Sequence, residues 1–320
     1  MTLIEEKKFV FKRISITVTK DIQFLFRVVF NANVSLNEIK NKHENCHGHE
    51  KYIGYIAYDS ETLEPAAYYS VYPGHLKYLN KIILVAQSGD TMTNPKYQKK
   101  GLFVKLANLT FDLCNNIGIE IITGIPNNNS SHGFLKYLDF IEQSRFKYLS
   151  LLENKFEFYR ITSKFDFTRK LHFKFLKFTF SIFFKRGLQI ENSNYKEKNL
   201  AFMIHDDVFF KAKEKESNLF ISRKESHIWI KIHDNHISIA DILFKNEKDL
   251  IHIIGIIKLI IFITGYRFLD FEALPNSYLI KKLIPYANNI TESNTLIIRN
   301  SSKIVPSNKI SFLICDRDSF

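Results

Sequence analysis

The sequence is poor in cysteine and has no long apolar run. Three cysteines in 320 residues are too few, and an odd number, for a disulfide framework, and they favour a reducing compartment. The longest apolar stretch, residues 251–262, contains Lys258 and falls short of the ~20 residues that span a bilayer. Residues 1–8 carry too much charge for a signal peptide. We therefore expect a soluble, cytoplasmic protein with a buried helix at 251–262 and no integral membrane segment.

Acidic residues are outnumbered by basic ones. The chain has 45 Lys and Arg against 33 Asp and Glu, a formal net charge of +12. Such an excess favours acidic partners, including phosphorylated small molecules. A concentrated basic stripe is also lacking, because the charges are dispersed, and this argues against nucleic acid as a partner. Apolar residues make up 45% of the chain, enough for one large domain or two ordinary ones.

The first 150 residues alternate between strand and helix patterns. A β-rich meander covers residues 52–58, 66–71 and 82–86 and leads into a run that contains Gly89. A glycine inside a strand pattern indicates a bulge or a close approach to the backbone. Further on, Pro126 ends a short β run before the next helix. The order predicts a mixed α/β domain with one crossover unit.

A basic turn follows the bulge and precedes an amphipathic helix. Apolar residues at helical spacing, with Gly118 at the end, predict this helix; they are Leu102, Leu106, Leu109 and Leu113. The first N–H groups of a helix lack internal partners and carry partial positive charge, so they bind phosphate well. Lys99 and Lys100 add two charges, and Gly101 lets a ligand approach the backbone. The turn is thus a candidate diphosphate site.

The second half of the chain repeats this pattern. A half-buried strand pattern at 228–232 precedes the apolar helix, and the β run 268–274 leads through Pro275 to another helix. We predict two domains, residues 1–155 and 200–320, joined by a connecting segment at 156–199.

Part of the connecting segment, residues 156–186, is rich in Phe and Lys. Two interpretations are open. The segment either packs as a strand and helix between the two halves, or forms a basic helix on a membrane surface.

The basic turn resembles the acyl-CoA-binding motif of the GNAT superfamily of N-acyltransferases. That motif reads Val-x-Pro, a few residues, then Arg/Gln-x-x-Gly-x-Gly/Ala at a strand-to-helix turn. Gln98 and Gly101 match it, whereas Phe103 stands at the usual Gly or Ala. Residues 128–140 resemble the family's Asn…Tyr…Gly-Phe segment, although Asp139 replaces the Gly and Leu135 stands where a Tyr often acts as general acid. The role of that Tyr therefore does not carry over.

The resemblance covers residues 10–150 and implies a fold, a cofactor and a set of contacts. The fold is a GNAT-like mixed sheet flanked by helices, with a second, degenerate GNAT-like half that lacks a Gln-x-x-Gly turn. Acyl-CoA is the implied co-substrate. The residues implied to bind it are Thr91, Met92, Thr93, Gln98, Lys99, Lys100, Gly101, Leu102, Phe103, Asn128 and Phe134. A tandem chain of this length with one competent half is similar to bacterial enzymes that acylate nucleotide-linked amino sugars for surface polysaccharides.

The implied reaction is direct attack of an amine on the thioester within a ternary complex, without an acyl-enzyme. Backbone N–H groups of residues 91–93 would bind the pantetheine arm and polarise the carbonyl. The amine must lose a proton to a base or a water chain. Asp90 and His132 are the candidate bases, and His75 is a third choice. Asp90 could instead bond neighbouring backbone, and His132 could be a surface residue at a helix start.

Other reactive side chains receive structural interpretations. Cys46 and Cys114 are possible nucleophiles in principle, but Cys114 is expected in the core beside a helix. His43, Cys46, His47 and His49 are metal-ligand types whose spacing suits no standard zinc module. We expect a solvated loop there and no metal site.

Four functions compete at this point. The first is acylation of a nucleotide-linked amino sugar, whose diphosphate agrees with the net charge of +12. The second is acylation of a protein or a small-molecule amine. The third is acyl-CoA binding without catalysis. The fourth is binding to a membrane surface or nucleic acid through the Phe/Lys segment. Homo-oligomerisation is possible in each case.

Overall fold

The computed structural model of the chain describes residues 3–6 and 8–317. Its strands are β1 Leu3–Glu6, β2 Phe9–Arg13, β3 Ile53–Asp59, β4 Pro65–Tyr78, β5 Lys81–Thr93, β6 Ile121–Gly124, β7 Ile141–Glu153, β8 Lys185–Arg186, β9 Ala201–Met203, β10 Asn218–Arg223, β11 Ser226–Ile232, β12 His236–Leu243, β13 Phe268–Ala273, β14 Asn289–Asn300 and β15 Ile310–Ser311. Its α-helices are α1 Thr19–Phe30, α2 Leu36–Glu44, α3 Leu102–Asn116, α4 Asn128–Tyr137, α5 Tyr159–Thr162, α6 Asp166–Phe183, α7 Asp207–Ala212, α8 Glu247–Thr264 and α9 Tyr278–Leu283.

One mixed sheet runs through the described part of the chain. Its order is β1-β2-β3-β4-β5-β6-β14-β7-β13-β12-β11-β10-β8, and β9 joins the end of β4. Pairing is antiparallel except for β5 with β6, β12 with β13 and the short pair β9 with β15. Parallel neighbours need a crossover, and α3 and α8 supply it in the first two cases. The sheet therefore contains two strand–helix–strand units, one on each side of the central strands β14 and β7.

The two halves exchange their last strands. β14, from the second half, pairs with β6 of the first, and β7, from the first half, pairs with β13 of the second. The cores follow the exchange: Ile297 of β14 packs in the first-half core, and Leu149 and Leu151 of β7 pack in the second-half core. Each half thus completes its sheet with a strand from the other.

Helices cover both faces of the first half. On one face α1 packs over Ile56, Tyr68 and Met92. On the opposite face α3 and α4 pack over Tyr55 and Tyr69. Neighbouring residues such as Tyr55 and Ile56 meet different helices because successive side chains of a strand point to opposite faces of the sheet.

The predicted fold class is confirmed: the chain is a mixed α/β protein with a large mixed sheet flanked by helices. The predicted helix after the basic turn is confirmed as α3. The helix expected at 251–262 lies within α8, but it is buried on one side only, since Ile251, Leu259 and Phe262 are exposed. The domain boundaries at 155 and 199 stay a prediction, and their outer ends at residues 1–2 and 318–320 lie outside the described residues. Within those residues, no helix combines the length and apolar character that crossing a membrane requires.

Candidate functional site

The N-terminus of α3 presents free backbone donors. Gly101 is its N-cap, in the left-handed region with φ 75°, and gives the helix no side-chain cap. The first N–H bonded within the helix is that of Lys105, which donates to the carbonyl of Gly101 at 3.1 Å. No described backbone acceptor takes the N–H groups of residues 99–104. A Cβ on Gly101 would meet no atom within 4 Å, so the turn faces open space and can admit an anion.

The strands beside this turn separate. β5 and β6 pair in parallel up to Ser88 and Gly124, where β6 ends, while β5 continues to Thr93. The register of β5 against β4 shifts between Tyr68 and Ser70, which confirms the predicted bulge after Gly89. Beyond the last pair, the β6 side of β5 has no strand partner within the described residues. The gap between β5 and β6 exposes backbone groups that an extended ligand can pair with.

The predicted acyl-CoA residues fall into three groups by exposure. Gln98, Lys99, Lys100, Gly101 and Asn128 are exposed. Thr91, Thr93 and Phe103 are half-buried, on the bulged strand and the first turn of α3. Met92, Leu102 and Phe134 are buried in the cores, so a contact with a ligand would use their backbone. The predicted roles of all eleven residues stay a prediction.

Phe103 occupies the position where the resembling motif has Gly or Ala. Its ring lies 5.1 Å from that of Phe134 and 6.0 Å from that of Tyr69, centroid to centroid. A Cβ on Gly133 of α4 would come within 2.7 Å of the Phe103 ring. Gly133 therefore makes room for the Phe103 ring between α3 and α4.

Asp90 lies in the bulge of β5, with φ 52°. Its carboxylate accepts a hydrogen bond from the Tyr72 hydroxyl at 2.5 Å and forms an ion pair with Lys42 at 2.6 Å. Burial, together with the Asp90 charge, raises the pKa of Tyr72 well above its usual value, so this hydroxyl stays protonated and donates. The bulge therefore aims a carboxylate at the α1–α2 face of the sheet, held by two donors.

A cavity of about 340 Å³ opens beside Asp90. Its walls come from α1, α2, β4, the bulge of β5, and α7 with the residues after it. A smaller cavity of about 80 Å³ shares Lys42 and Tyr72 with it and reaches Gln87 and Thr123, the next-to-last pair before the strands separate. Lys42 and Tyr72, the two donors to Asp90, therefore line both the cavity beside Asp90 and the one that reaches towards the gap between β5 and β6.

A second polar chain lines the same cavity. Nε2 of His43 lies 2.8 Å from the Tyr68 hydroxyl, which donates to Oγ of Ser70 at 2.8 Å. Since Tyr68 uses its proton on Ser70, His43 donates through Nε2. Burial lowers the pKa of His43 to about 4, so the ring is neutral at pH 7.

The structure does not bring the predicted bases together. Asp90 faces the α1–α2 side, whereas His132 is an exposed residue of α4, on the α3 side of the sheet. His75 lies on β4 with its ring centroid 4.1 Å from that of His47. Of the three, Asp90 is the one that lines the 340 Å³ cavity.

The expectation of a solvated loop after residue 41 is wrong. His43, Cys46 and His47 are buried, and only His49 of the four is exposed. The physical reason is twofold. A capping box of Ser35 and Glu38 begins α2, which carries His43 inward, and the start of α7 covers the rest of the loop.

That loop contacts the N-cap of α7 through a hydrogen bond between His47 and Asp206. Nε2 of His47 lies 2.8 Å from the Asp206 carboxylate, which also accepts the N–H of Phe209 as the N-cap of α7. His47, His75 and Asp206 form a group with metal-ligand atoms within 4.8 Å of one another. Because Asp206 caps α7 and bonds His47, we interpret these three residues as a structural contact between the two halves of the chain.

The cysteines are poor nucleophiles. All three are buried, and the position of Cys114 in the core, with no exposed surface, is confirmed. Burial raises the pKa of the Cys46 and Cys315 thiols and raises that of Cys114 to about 12. Thiolate chemistry is therefore disfavoured at neutral pH.

Sequence reasoning missed Lys42, Tyr68 and Tyr72. Lys42 is far from Asp90 in the chain, and local spacing does not reveal the pair. A signal did exist on β4, where Tyr68, Ser70 and Tyr72 place three hydroxyls on one face of an otherwise apolar strand.

The equivalent gap in the second half is filled by the chain itself. β12 and β13 pair in parallel up to Ile239 and Phe271, and β12 has its own register shift opposite Trp229 and Ile230. The short 3₁₀ turn Ser193–Lys196 lies there. The contacts of this turn are the N–H of Ser193 to the Asp241 carboxylate (2.8 Å), the Asn194 side chain accepting the N–H of Tyr278 (2.9 Å), and Nζ of Lys196 to the carbonyl of Phe244 (2.9 Å).

Solved structures with the same fold are known. The chain is similar to the GCN5-related N-acetyltransferase from Kribbella flavida, with TM-score 0.62 and 9% identity over 91% of this chain and 71% of that one. It is similar to a probable N-acyltransferase from Enterococcus faecalis V583, with TM-score 0.61 and 9% identity over 91% and 72%. A putative acetyltransferase from Pyrococcus horikoshii gives TM-score 0.53 and 11% identity over 96% and 94%.

No family model matches the sequence, and no curated protein matches it either. Identities of this size show the fold alone. The chain therefore has the GCN5-related N-acetyltransferase (GNAT) fold, and its activity has to be argued from the site.

Proposed function

We propose that this chain is an acyl-CoA-dependent N-acyltransferase. The observation that carries the proposal is the set of free N–H donors of residues 99–104, at an exposed helix start beside the gap between β5 and β6. Diphosphates bind well to such helix starts, and Lys99 and Lys100 add positive charge. Acyl-CoA, when bound, supplies an activated acyl thioester on an arm long enough to follow the strand gap.

The residues of β5 orient the donor. The N–H and C=O groups of residues 89–93 on the β6 side of β5 are available for pairing with the amides of the pantetheine arm. A backbone N–H at the bulge is placed to polarise the thioester carbonyl. The buried thiols argue against an acyl-enzyme, so direct attack by the amine is the proposed route.

Asp90 is the proposed base. It lies on the part of β5 that borders the strand gap and lines the 340 Å³ cavity, and hydrogen bonds from Tyr72 and Lys42 fix its carboxylate. An amine in this cavity can give its proton to Asp90 directly or through one water. His43 and Tyr68 line the same cavity as neutral hydrogen-bonding groups and orient the acceptor.

The finer proposal concerns the acceptor. A nucleotide-linked amino sugar carries phosphates, and Lys211 and Lys215 at the α7 side of the cavity supply cations for them. Glu38 and Glu214 line the same cavity, which also suits an amine on a small molecule without phosphate. Acylation of a protein amine and acyl-CoA binding without turnover are the remaining alternatives.

The test is release of free CoA thiol from acetyl-CoA and longer acyl-CoAs with a panel of acceptors. Nucleotide-linked amino sugars, free amino sugars, polyamines and lysine peptides form the panel. The proposal expects thermal stabilisation by CoA and thiol release with at least one amine. Stabilisation without release from any amine favours the non-catalytic alternative, and absence of any CoA binding refutes the proposal.

A further inference from the structure

The helix α6 has an apolar stripe on its outer face. Phe167 is 78% exposed, Phe178 62% and Ile182 62%. With Leu171 and Phe175, these residues follow one another at spacings of three and four, so they form one line along the helix. The inner face is a different line, made by His172, Leu176, Thr179 and Phe180, all buried. The helix is therefore apolar on two sides, and only one of them is used in the core.

Neighbouring segments extend this apolar surface. α8 packs against α6 and exposes Ile251, Leu259, Phe262 and Ile263. The segment before α6 exposes Phe156, Phe158, Ile161 and Phe165, and the Phe156 ring lies 6.5 Å from that of Phe262. We call these residues, with the outer stripe of α6, the aromatic face. So large a cluster of exposed apolar side chains on a protein surface marks a binding site.

Basic residues border the aromatic face. Residues 155–186 contain nine Lys and Arg and two Asp and Glu, a net charge of +7 within a chain of +12. Lys170, Lys174 and Lys177 follow one another along one flank of the α6 stripe. Long lysine side chains beside an apolar stripe keep their ammonium groups in water at the height of lipid headgroups. The pattern of Phe and Leu on one side and Lys beside them is that of helices that lie in a membrane interface.

We propose that the aromatic face binds the surface of an anionic lipid bilayer, with α6 lying in the plane of the interface. The described helices are too short or too polar to cross a bilayer, which leaves attachment from one side. The +7 charge of the segment complements an anionic headgroup layer. A second copy of this chain fits the face less well, because two such segments would bring like charges together.

This proposal is independent of acyl transfer, since the aromatic face belongs to the second half and the connecting segment, away from the N-terminus of α3. Binding is therefore expected with and without CoA.

The experiment is flotation of the full chain with vesicles of phosphatidylcholine alone or mixed with phosphatidylglycerol. We expect binding to the mixed vesicles, at least about tenfold weaker binding to the neutral ones, and release by high salt. The triple variant Lys170→Glu, Lys174→Glu, Lys177→Glu and the double variant Phe167→Ser, Phe178→Ser should each reduce partitioning at least about tenfold.

The matched control is Lys20→Glu, Lys81→Glu, Lys303→Glu, which makes the same charge change at exposed lysines outside α5, α6 and α8. It should keep most of the binding, and circular dichroism should show all three variants folded. Equal loss in the control would attribute binding to net charge and overturn the proposal. Absence of vesicle binding, with a dimer in sedimentation velocity that the Phe167→Ser, Phe178→Ser variant abolishes, would overturn it in favour of a second copy.

Discussion

The two strand–helix–strand units of this protein share a topology but differ where the helix begins. α3 starts at Gly101, has no acidic residue in its first turn and leaves its first N–H groups free. α8 starts at Asn246, whose side chain accepts the N–H of Asp249, and carries Glu247 and Asp249 in its first turn. The first helix start attracts an anion, whereas the second is capped by its own residues and repels one.

The strand gaps differ in the same sense. In the first half the strands separate beside an exposed turn, and the bulge directs Asp90 into a cavity. In the second half Asp241 lies next to the bulge of β12, is fully buried and accepts the N–H of Ser193 from the segment that fills the gap. The two strand–helix–strand units thus share an arrangement, but the first has an exposed helix start beside its strand gap, whereas the gap of the second is filled by the Ser193–Lys196 turn. The following experiments test that difference.

The largest difference between the halves is expected when the carboxylate beside each β-bulge is replaced, Asp90 in the first half and Asp241 in the second. Asp90→Asn keeps an acceptor for the Tyr72 hydroxyl but removes the proton acceptor, so kcat should fall by about 10²–10⁴-fold. Asp241→Asn makes the same change in the second half and should leave kcat within about threefold, because this group faces no substrate. Steady-state thiol release measures both. Equal losses in the two variants would mean that the halves do not differ as described.

The pH dependence of stability should report the buried His43. Its folded pKa of about 4 lies below the ordinary value of 6.5, so the unfolded chain binds the proton more tightly. The neutral His43 therefore contributes about 3 kcal/mol to the free energy of unfolding. This contribution is fully present above pH 6.5 and is lost as the pH falls towards 4.

Urea unfolding of wild type and His43→Gln at several pH values measures this contribution. Glutamine keeps a donor for Tyr68 but does not titrate, so the variant should lose less stability between pH 6.5 and 4. Identical slopes for the two proteins would contradict the assignment of a neutral, buried His43.

The segment that fills the second gap should matter for stability. Asn194→Ala removes the acceptor for the N–H of Tyr278 in a fully buried position, so unfolding should become about 1–3 kcal/mol easier. Asn128→Ala, at the exposed start of α4 in the first half, should change the free energy of unfolding by less than about 0.5 kcal/mol. Urea denaturation compares them, and a larger effect at Asn128 would refute the view that only the second gap is filled.

Local sequence signals were sufficient to predict the part of the site that is proposed to bind acyl-CoA. Leucine spacing after Gly101 predicted α3, and a glycine within a strand pattern predicted the bulge near Asp90, since both depend on short-range geometry. The cavity that is proposed to bind the amine is formed by contacts between distant parts of the chain. The pairing of Lys42 with Asp90 and the burial of His47 under α7 depend on tertiary packing, which periodicity does not encode.

The exchange of β7 and β14 between the halves was also invisible in the sequence. Both strands show ordinary β patterns, and the choice of neighbour is made by the assembled sheet. The internal repeat stays a prediction, and the feature of it that the structure shows is one crossover helix in each half, α3 and α8.

The central claim is that the start of α3 binds the diphosphate of CoA, and Gly101 provides the sharpest test. Gly101→Asp and Gly101→Asn have nearly the same shape and backbone strain, and the open space at Gly101 accepts either side chain. Only the Asp variant puts a negative charge against the free N–H groups. Calorimetric titration with CoA should show one site in wild type and in Gly101→Asn, and at least about tenfold weaker binding in Gly101→Asp. Equal affinity in the two variants would contradict the claim.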